Sequence, residues 1–306
     1  MSGSSGYIEN FIQRNEASFK TVHDESSGVS EKVASDWKIK LQGICEGYDR
    51  KDIFNADEFG LVYRAIPRKG YCMKKRAAKV GKLAKERLTV LAGANMSGSE
   101  KLPLIVIGKF EKPRCFRNVK RLPVQYESNS AAWMNSEIFT NYLRKLNRKF
   151  LKEDRKVLIF IDNCSAHKIP AKFSNIKLQM LPPCTTSVLQ PMDQGVIHCI
   201  KAYYRNFLLT KVCAMIKAKS FKDHTQISVL DAILMLSSAW KDVSHLTIEN
   251  AFRKCGFTDE VAVTEHTVGD PIEWEEQKKI LGLEEDADFQ GIVDFDDNIA
   301  TSENVN

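Results

Sequence analysis

The stretch VLIFID, residues 157–162, sets five apolar residues in a row and closes on an aspartate. Three of the five are β-branched and nothing in the run alternates, the pattern of a strand buried on both faces. Helices must then cover both sides of its sheet. Upstream, a helix with Ser136 as its N-cap carries Ile138, Phe139, Tyr142, Leu143, Leu146 and Phe150 at helical spacing. Downstream, Ile176–Leu181 reads as a strand stopped by Pro182 and Pro183, and a long helix runs from Met192 to about Lys219. Toward the N-terminus, strands are expected at Asp52–Asp57 (DIFNAD), Gly60–Ile66 (GLVYRAI), Leu88–Asn95 (LTVLAGAN) and Leu102–Gly108 (LPLIVIG). The last two are joined by a turn at Met96-Ser97-Gly98. Early hairpins followed by α/β crossovers predict an α/β fold: a mixed sheet with helices on its faces. An RNase H-like core fits this order, and so do several other α/β folds.

The flanks have a different texture. Residues 7–50 look helical, with an apolar stripe that includes Val33, Trp37, Ile39, Leu41 and Ile44. Residues up to Gly256 are again helical, with Val229, Ile233, Leu234, Leu236 and Trp240 as the apolar set. Past Thr258 the chain turns acidic and is expected to be loosely ordered. Net charge is +6, yet Glu284–Asn306 holds eight acidic residues and no lysine or arginine. The rest therefore carries 45 basic against 31 acidic side chains, which points toward a polyanionic partner. Eight cysteines are scattered without a C-x-x-C or a zinc-finger spacing to histidine, so reduced thiols are expected rather than a disulfide framework. No apolar run is long enough to cross a bilayer, and no membrane partner is expected.

Three aspartates stand where chemistry collects in such sheets. Asp57 closes the first expected strand, Asp162 closes VLIFID, and Asp193 opens the long helix in QPMDQG. Phosphodiester cleavage needs an activated water and a stabilised leaving oxygen. Two divalent ions roughly 3.5–4 Å apart supply both, and carboxylates are the hard ligands that Mg²⁺ prefers. Taken singly, each aspartate also fits an ordinary role, as a strand-end turn residue or a charge favoured at a helix start. Glu58 directly follows Asp57, so in a strand it faces the other way and is not counted as a ligand.

Six segments, in order, carry a resemblance: FNADEFGL (54–61), RLTVLAGANMSGSEKLPLIVIGK (87–109), KPRCFRNVKRLP (112–123), AAWMNSEIF (131–139), FIDNCSAH (160–167) and LPPCTTSVLQPMDQGVI (181–197). They resemble the DDE-type endonuclease domain of Tigger/pogo transposases, a family that includes the domesticated jerky proteins and centromere protein B. The resemblance implies an RNase H-like mixed sheet with flanking helices and helical N- and C-terminal extensions. It places the catalytic and metal-holding positions on Asp57, Asp162 and Asp193, with two Mg²⁺ or Mn²⁺ ions, and brings their carboxylates to one edge of a single sheet. Asn163 and His167 match the family's DN…H pattern and, with Gln190, are accessory positions; His167 would orient water or touch the scissile phosphate, or merely cap the next turn. Thr185, Thr186 and Ser187 would shape the nearby loop, and Cys184 stands where the family usually has asparagine.

The implied partner is DNA and the implied location the nucleus, and a homodimer stays open. Lys74, Lys75, Arg76 and Lys79 in the basic stretch 67–87 would track backbone phosphates, as would Arg114 and Arg117 in the cluster that also holds Lys109, Lys112, Lys120 and Arg121. A solvated loop face explains the same charges. FIQRNEASFKTVHDES (11–26) resembles the tail of a second helix-turn-helix module, so sequence-specific DNA recognition is expected to be weak. The resulting division is a helical remnant at 1–47, the endonuclease-like domain at 48–215, a helical extension at 216–257 and the acidic tail at 258–306. The leading reading is a transposase-derived domain that binds nucleic acid and performs metal-dependent DNA cleavage and strand transfer. Beside it stand a domesticated DNA-binding or chromatin-associated module with an inherited triad, and an inert remnant.

Overall fold

The computed structural model describes residues 31–66, 86–183, 185–258, 269–297 and 299–302. Ile53–Leu61 forms one strand, β1, buried along nearly its whole length. It pairs antiparallel with β2 (Leu88–Asn95) and parallel with β5 (Val157–Ile161). β3 (Ile105–Gly108) is antiparallel to β2, β4 (Gln125–Ser128) runs parallel to β3, and β6 (Ile176–Met180) runs parallel to β5. The order is β4-β3-β2-β1-β5-β6. Antiparallel pairing through β2 and β3 on one side of β1, with β4 added parallel at that edge, and parallel pairing through β5 and β6 on the other make the expected RNase H-like mixed sheet.

The helices are α1 (Glu31–Cys45), α2 (Ser136–Lys152), α3 (Thr186–Leu189), α4 (Val196–Lys217), α5 (Val229–Asp242), α6 (His245–Lys254), α7 (Trp274–Leu281) and α8 (Phe289–Val293). Alternation along β1 divides its side chains between two cores. Ile53, Phe59 and Leu61 join Leu158, Phe160 and the apolar side of α4, while Phe54 and Ala56 join Ile159, Ile161 and the apolar side of α2. Full burial of each such side chain contributes roughly 1.5–3 kcal/mol, so the sheet is held from both faces.

Several expected elements differ in detail. The two strands placed on either side of Asp57–Gly60 are one: Phe59 and Leu61 face the α4 core, and pairing with β2 continues to Leu61↔Leu88. Beyond it, the Val62 amide leaves the ladder and donates to Asp296 Oδ2 at 2.8 Å. β3 begins at Ile105 rather than Leu102, because Pro103 has no amide hydrogen for the ladder. β4 was not expected; its sequence QYES lacks an apolar alternation, as a half-buried edge strand can. The N-cap of α2 is Asn135, whose side chain accepts from Ile138 N at 2.9 Å, and Ser136 is the first helical residue. The long helix starts at Val196: Pro191–Asp193 forms a separate 3-10 turn, and Gly195, at φ 115°, breaks the two apart.

In α1, Trp37 and Leu41 are buried one turn apart, whereas Ile39 lies on the opposite side and is 74% exposed. Leu234 likewise faces solvent on α5, while Ile233, Leu236 and Trp240 face inward. The expected looseness past Thr258 does not hold for residues 269–297. Trp274, Leu281, Phe289, Ile292 and Val293 are buried in the α4 core, and Asp296 is buried against Lys201 and Arg205. An acidic composition is thus compensated by cations on α4. Among the described residues the six cysteines are free thiols, and no helix is long and apolar enough to cross a membrane.

Candidate active site

Asp57 lies inside β1, not at its end. What ends there is its neighbour: β5 pairs with β1 only as far as Asn55↔Phe160 and stops at Ile161, so Asp162 emerges beside an uncovered stretch of β1. Asp193 reaches the same place from the 3-10 turn before α4, and not from the helix start itself. Asn55 joins the three segments. Fully buried in β1, its Nδ2 donates to the Phe160 carbonyl at 3.0 Å and its Oδ1 accepts from Met192 N at 2.8 Å. Asp57, Asp162 and Asp193 consequently line one cavity of about 390 Å³, together with Gln190, Lys201 and Asp297.

The aspartates are not electrostatically equivalent. Burial, then the nearby charges of Asp193, Asp162 and Glu58, push the Asp57 carboxyl well above the usual range, and Gln190 opposes this only in part. Burial would raise Asp162 too, but His167 and Cys164 outweigh it and hold Asp162 below its ordinary value. For His167, burial works against the charge. The carboxylates of Glu58 and Asp162 prevail and raise its pKa well above the usual imidazole value. The cavity therefore couples one carboxyl that resists ionisation to another held ionised.

The donor set fits a hard divalent cation. Three carboxylates face one cavity, and Gln190 beside them is buried with neither amide atom in a well-formed hydrogen bond, although it lies near enough to Asp57 to favour its charge. Asp162, Cys164 and His167 also place donor atoms within 4.8 Å of one another, but the imidazole there is already spent on carboxylates.

The accessory positions separate. Gln190 lines the cavity, Asn163 is exposed outside it, and His167 is buried behind it, out of reach of a substrate phosphate. Thr185 is buried and its Oγ1 donates to the Pro182 carbonyl at 2.7 Å, a loop-closing role. Cys184 and the side chains of Thr186 and Ser187 lie outside the described residues, as do Lys74, Lys75, Arg76 and Lys79. Arg114 and Arg117 are exposed at the 3-10 turn between β3 and β4.

Sequence reasoning missed Asn55, Glu58 and Lys201. Asn55 could have been suspected as a residue disfavoured in an otherwise apolar strand. Lys201 could have been suspected as a cation in the apolar stripe of α4; it is 2% exposed and lies 3.0 Å from Asp296 and 2.6 Å from Asp297. Nothing local marks Glu58, whose partner His167 is 109 residues away.

Residues 85–252 match the family described as DDE superfamily endonuclease. The chain is 38% identical over 255 residues to Tigger transposable element-derived protein 4 of Mus musculus, covering 83% of this chain and 49% of that protein. It is 30% identical over 242 residues to Major centromere autoantigen B of Homo sapiens, covering 77% of this chain and 38% of that protein. Among solved structures, the Mos1 strand transfer complex aligns with a TM-score of 0.46 and 14% identity, covering 91% of this chain and 69% of that one. The chain spans about half the length, or less, of these curated relatives.

Proposed function

We propose that this chain, which belongs to the DDE superfamily endonuclease family, is a transposase-derived domain that cleaves and rejoins DNA phosphodiester bonds at Asp57, Asp162 and Asp193. One observation carries the reading: three aspartates from three separate segments line one cavity, where burial and then their mutual crowding hold Asp57 toward its protonated form. These residues would hold two Mg²⁺ or Mn²⁺ ions. When bound, such ions activate an attacking water or 3′-hydroxyl and neutralise the leaving oxygen. The chain's own part is arrangement. Asp162 stands ionised beside His167, ready as a ligand, whereas Asp57 releases its proton when a cation offsets its carboxylate neighbours. Asn55 keeps the turn bearing Asp193 against β1.

DNA is the proposed partner and the nucleus the proposed location; assembly as a homodimer is compatible with both. Arg114 and Arg117 would contact backbone phosphates, together with Lys74, Lys75, Arg76 and Lys79 outside the described residues. The second reading, a DNA-binding or chromatin-associated module without cleavage, draws support from a second cavity of about 900 Å³. Arg87, Lys109, Lys112 and Arg114 line it with Tyr126 and the exposed Phe110, while Arg64 there is paired with Glu86 at 2.8 Å; it takes no residue from the aspartate site. Basic and aromatic groups together suit phosphate contact and base stacking.

Supercoiled plasmid, incubated with Mg²⁺ or Mn²⁺ and followed by gel, separates the two readings. Wild-type protein and the surface control Asp154→Asn should nick it, and Asp162→Asn should not. Plasmid retained in a gel shift but never nicked would select the binding module. Nicking that survives Asp162→Asn would place the chemistry elsewhere.

A further inference from the structure

We propose that Glu58 and His167 form a positioning pair that fixes Asp162 for metal binding, a role resting on the metal-site reading above. Glu58 follows Asp57 in β1 and borders the same cavity, but its side chain is only 6% exposed and turns to His167 on the α2 side of the sheet. There its Oε1 meets His167 Nε2 at 3.0 Å. The imidazole is fully enclosed and packs on the Phe139 ring of α2, centroid to centroid 4.3 Å. Its other nitrogen, Nδ1, lies 2.5 Å from Asp162 Oδ1 and 3.3 Å from the Asp162 carbonyl. The ring is thus held between oxygens at both of its nitrogens, which fixes its orientation against Asp162.

The chain of contacts thus runs from the back of β1, through one buried ring, to the carboxylate on the cavity face. It has a directional consequence. Asp162 Oδ1 is buried at the ring, so Oδ2 is the oxygen left for a ligand in the cavity. Glu58 keeps the ring from turning away, and Phe139 blocks its retreat toward α2. Neither Glu58 nor His167 needs to touch substrate; both act through Asp162. Outer partners of this kind set the aim and basicity of a ligating carboxylate, and their loss typically weakens metal affinity about 10–100-fold.

Calorimetric titration of the full chain with Mn²⁺ tests this, with folding of each variant checked by circular dichroism. Glu58→Ala should weaken Mn²⁺ binding about ten-fold or more. Glu58→Gln, which keeps an oxygen for the ring to donate to, should recover most of that loss. His167→Gln, close in size to the native ring, should weaken binding comparably and carries the test if Glu58→Ala does not fold. Because Glu58 acts through His167, adding Glu58→Ala to His167→Gln should cause little further loss. Wild-type affinity in folded Glu58→Ala or His167→Gln, or losses that multiply in the double variant, would overturn the proposal while leaving the metal site standing. Wild-type protein that binds no Mn²⁺, or binding that survives Asp57→Asn, would overturn the metal reading itself and this pair with it.

Discussion

Asp57 and Asp162 face one cavity, yet their surroundings drive their protons in opposite directions, and single substitutions should expose the difference. Asp57 is buried among like charges, so replacing its carboxyl with a neutral amide of the same shape removes repulsion; Asp162 is the partner of a buried imidazolium, so the same change removes an attraction. In metal-free buffer near neutral pH, Asp57→Asn should raise the melting temperature and Asp162→Asn should lower it. Each shift should be about 2–4 °C, what ~1 kcal/mol produces in a domain of 150–250 residues. The sign with pH follows from linkage. Folded Asp57 holds its proton more tightly than the unfolded chain does, so stability falls as pH rises from the unfolded carboxylate range, near 3.9, toward the raised folded value. The advantage of Asp57→Asn over wild type should therefore be small near pH 4 and widen above it. Parallel melting curves across that range would contradict the assigned crowding. The three aspartates were legible in the sequence through their motifs, but their unlike charge states were not. Those depend on Glu58 and His167, which meet only after β1 and β5 pair.

At the scale of elements, the apolar run at 157–162 announced its own burial, and β2, β5 and β6 fall close to their expected bounds. Misreadings cluster where a tertiary partner overrides local pattern. Glu58 and Phe59 fell between two expected strands, but Glu58 is satisfied by His167 and Phe59 by the α4 core, and Gly60 after them lets Ile299 approach; a Cβ there would lie 2.7 Å from Ile299 Cγ2. The turn at Pro191–Asp193 looked like the first turn of the long helix because its anchor, Asn55, is 137 residues from Met192. That anchor can be tested. Asn55→Ala strips the partner from the buried Met192 amide and the bond to the Phe160 carbonyl; at about 1–3 kcal/mol for each group left unsatisfied, the loss should be about 2–6 kcal/mol in urea denaturation. Hydrogen exchange at Met192 should accelerate markedly, while amides in the middle of α4 keep their protection relative to global unfolding. An unchanged Met192 amide would show that the turn is held by other means.

For the molecule as a whole, the largest departure from expectation is the acidic C-terminal segment, which closes on α4 instead of trailing from it. Composition alone argued for looseness, since eight acids without a lysine or arginine cannot compensate one another. The compensation comes from α4. Arg205 Nη2 lies 2.5 Å from Asp296 Oδ2, both side chains are fully buried, and Arg205 Nη1 donates to the Val62 carbonyl at 2.9 Å. The same Asp296 Oδ2 accepts from Val62 N, so one carboxylate ties the C-terminal segment, the end of β1 and α4 together. Residues just beyond it, Asp297, Ile299, Thr301 and Ser302, form a wall of the aspartate cavity. A buried pair of this kind is costly to break from one side, because the remaining charge has no solvent to return to. Asp296→Ala should therefore destabilise the chain by about 3–5 kcal/mol, with Arg205→Met comparable. Replacing both, Arg205→Met with Asp296→Leu, removes the fully buried Arg205–Asp296 pair together, leaves Lys201 its second partner Asp297, and should leave the protein more stable than either single variant. Urea denaturation of the four proteins measures the coupling directly. If the two single losses simply add in the double variant, Arg205 and Asp296 do not act as a unit, and the closure of the C-terminal segment on α4 must rest on the Lys201–Asp297 pair and on Trp274, Phe289 and their apolar neighbours.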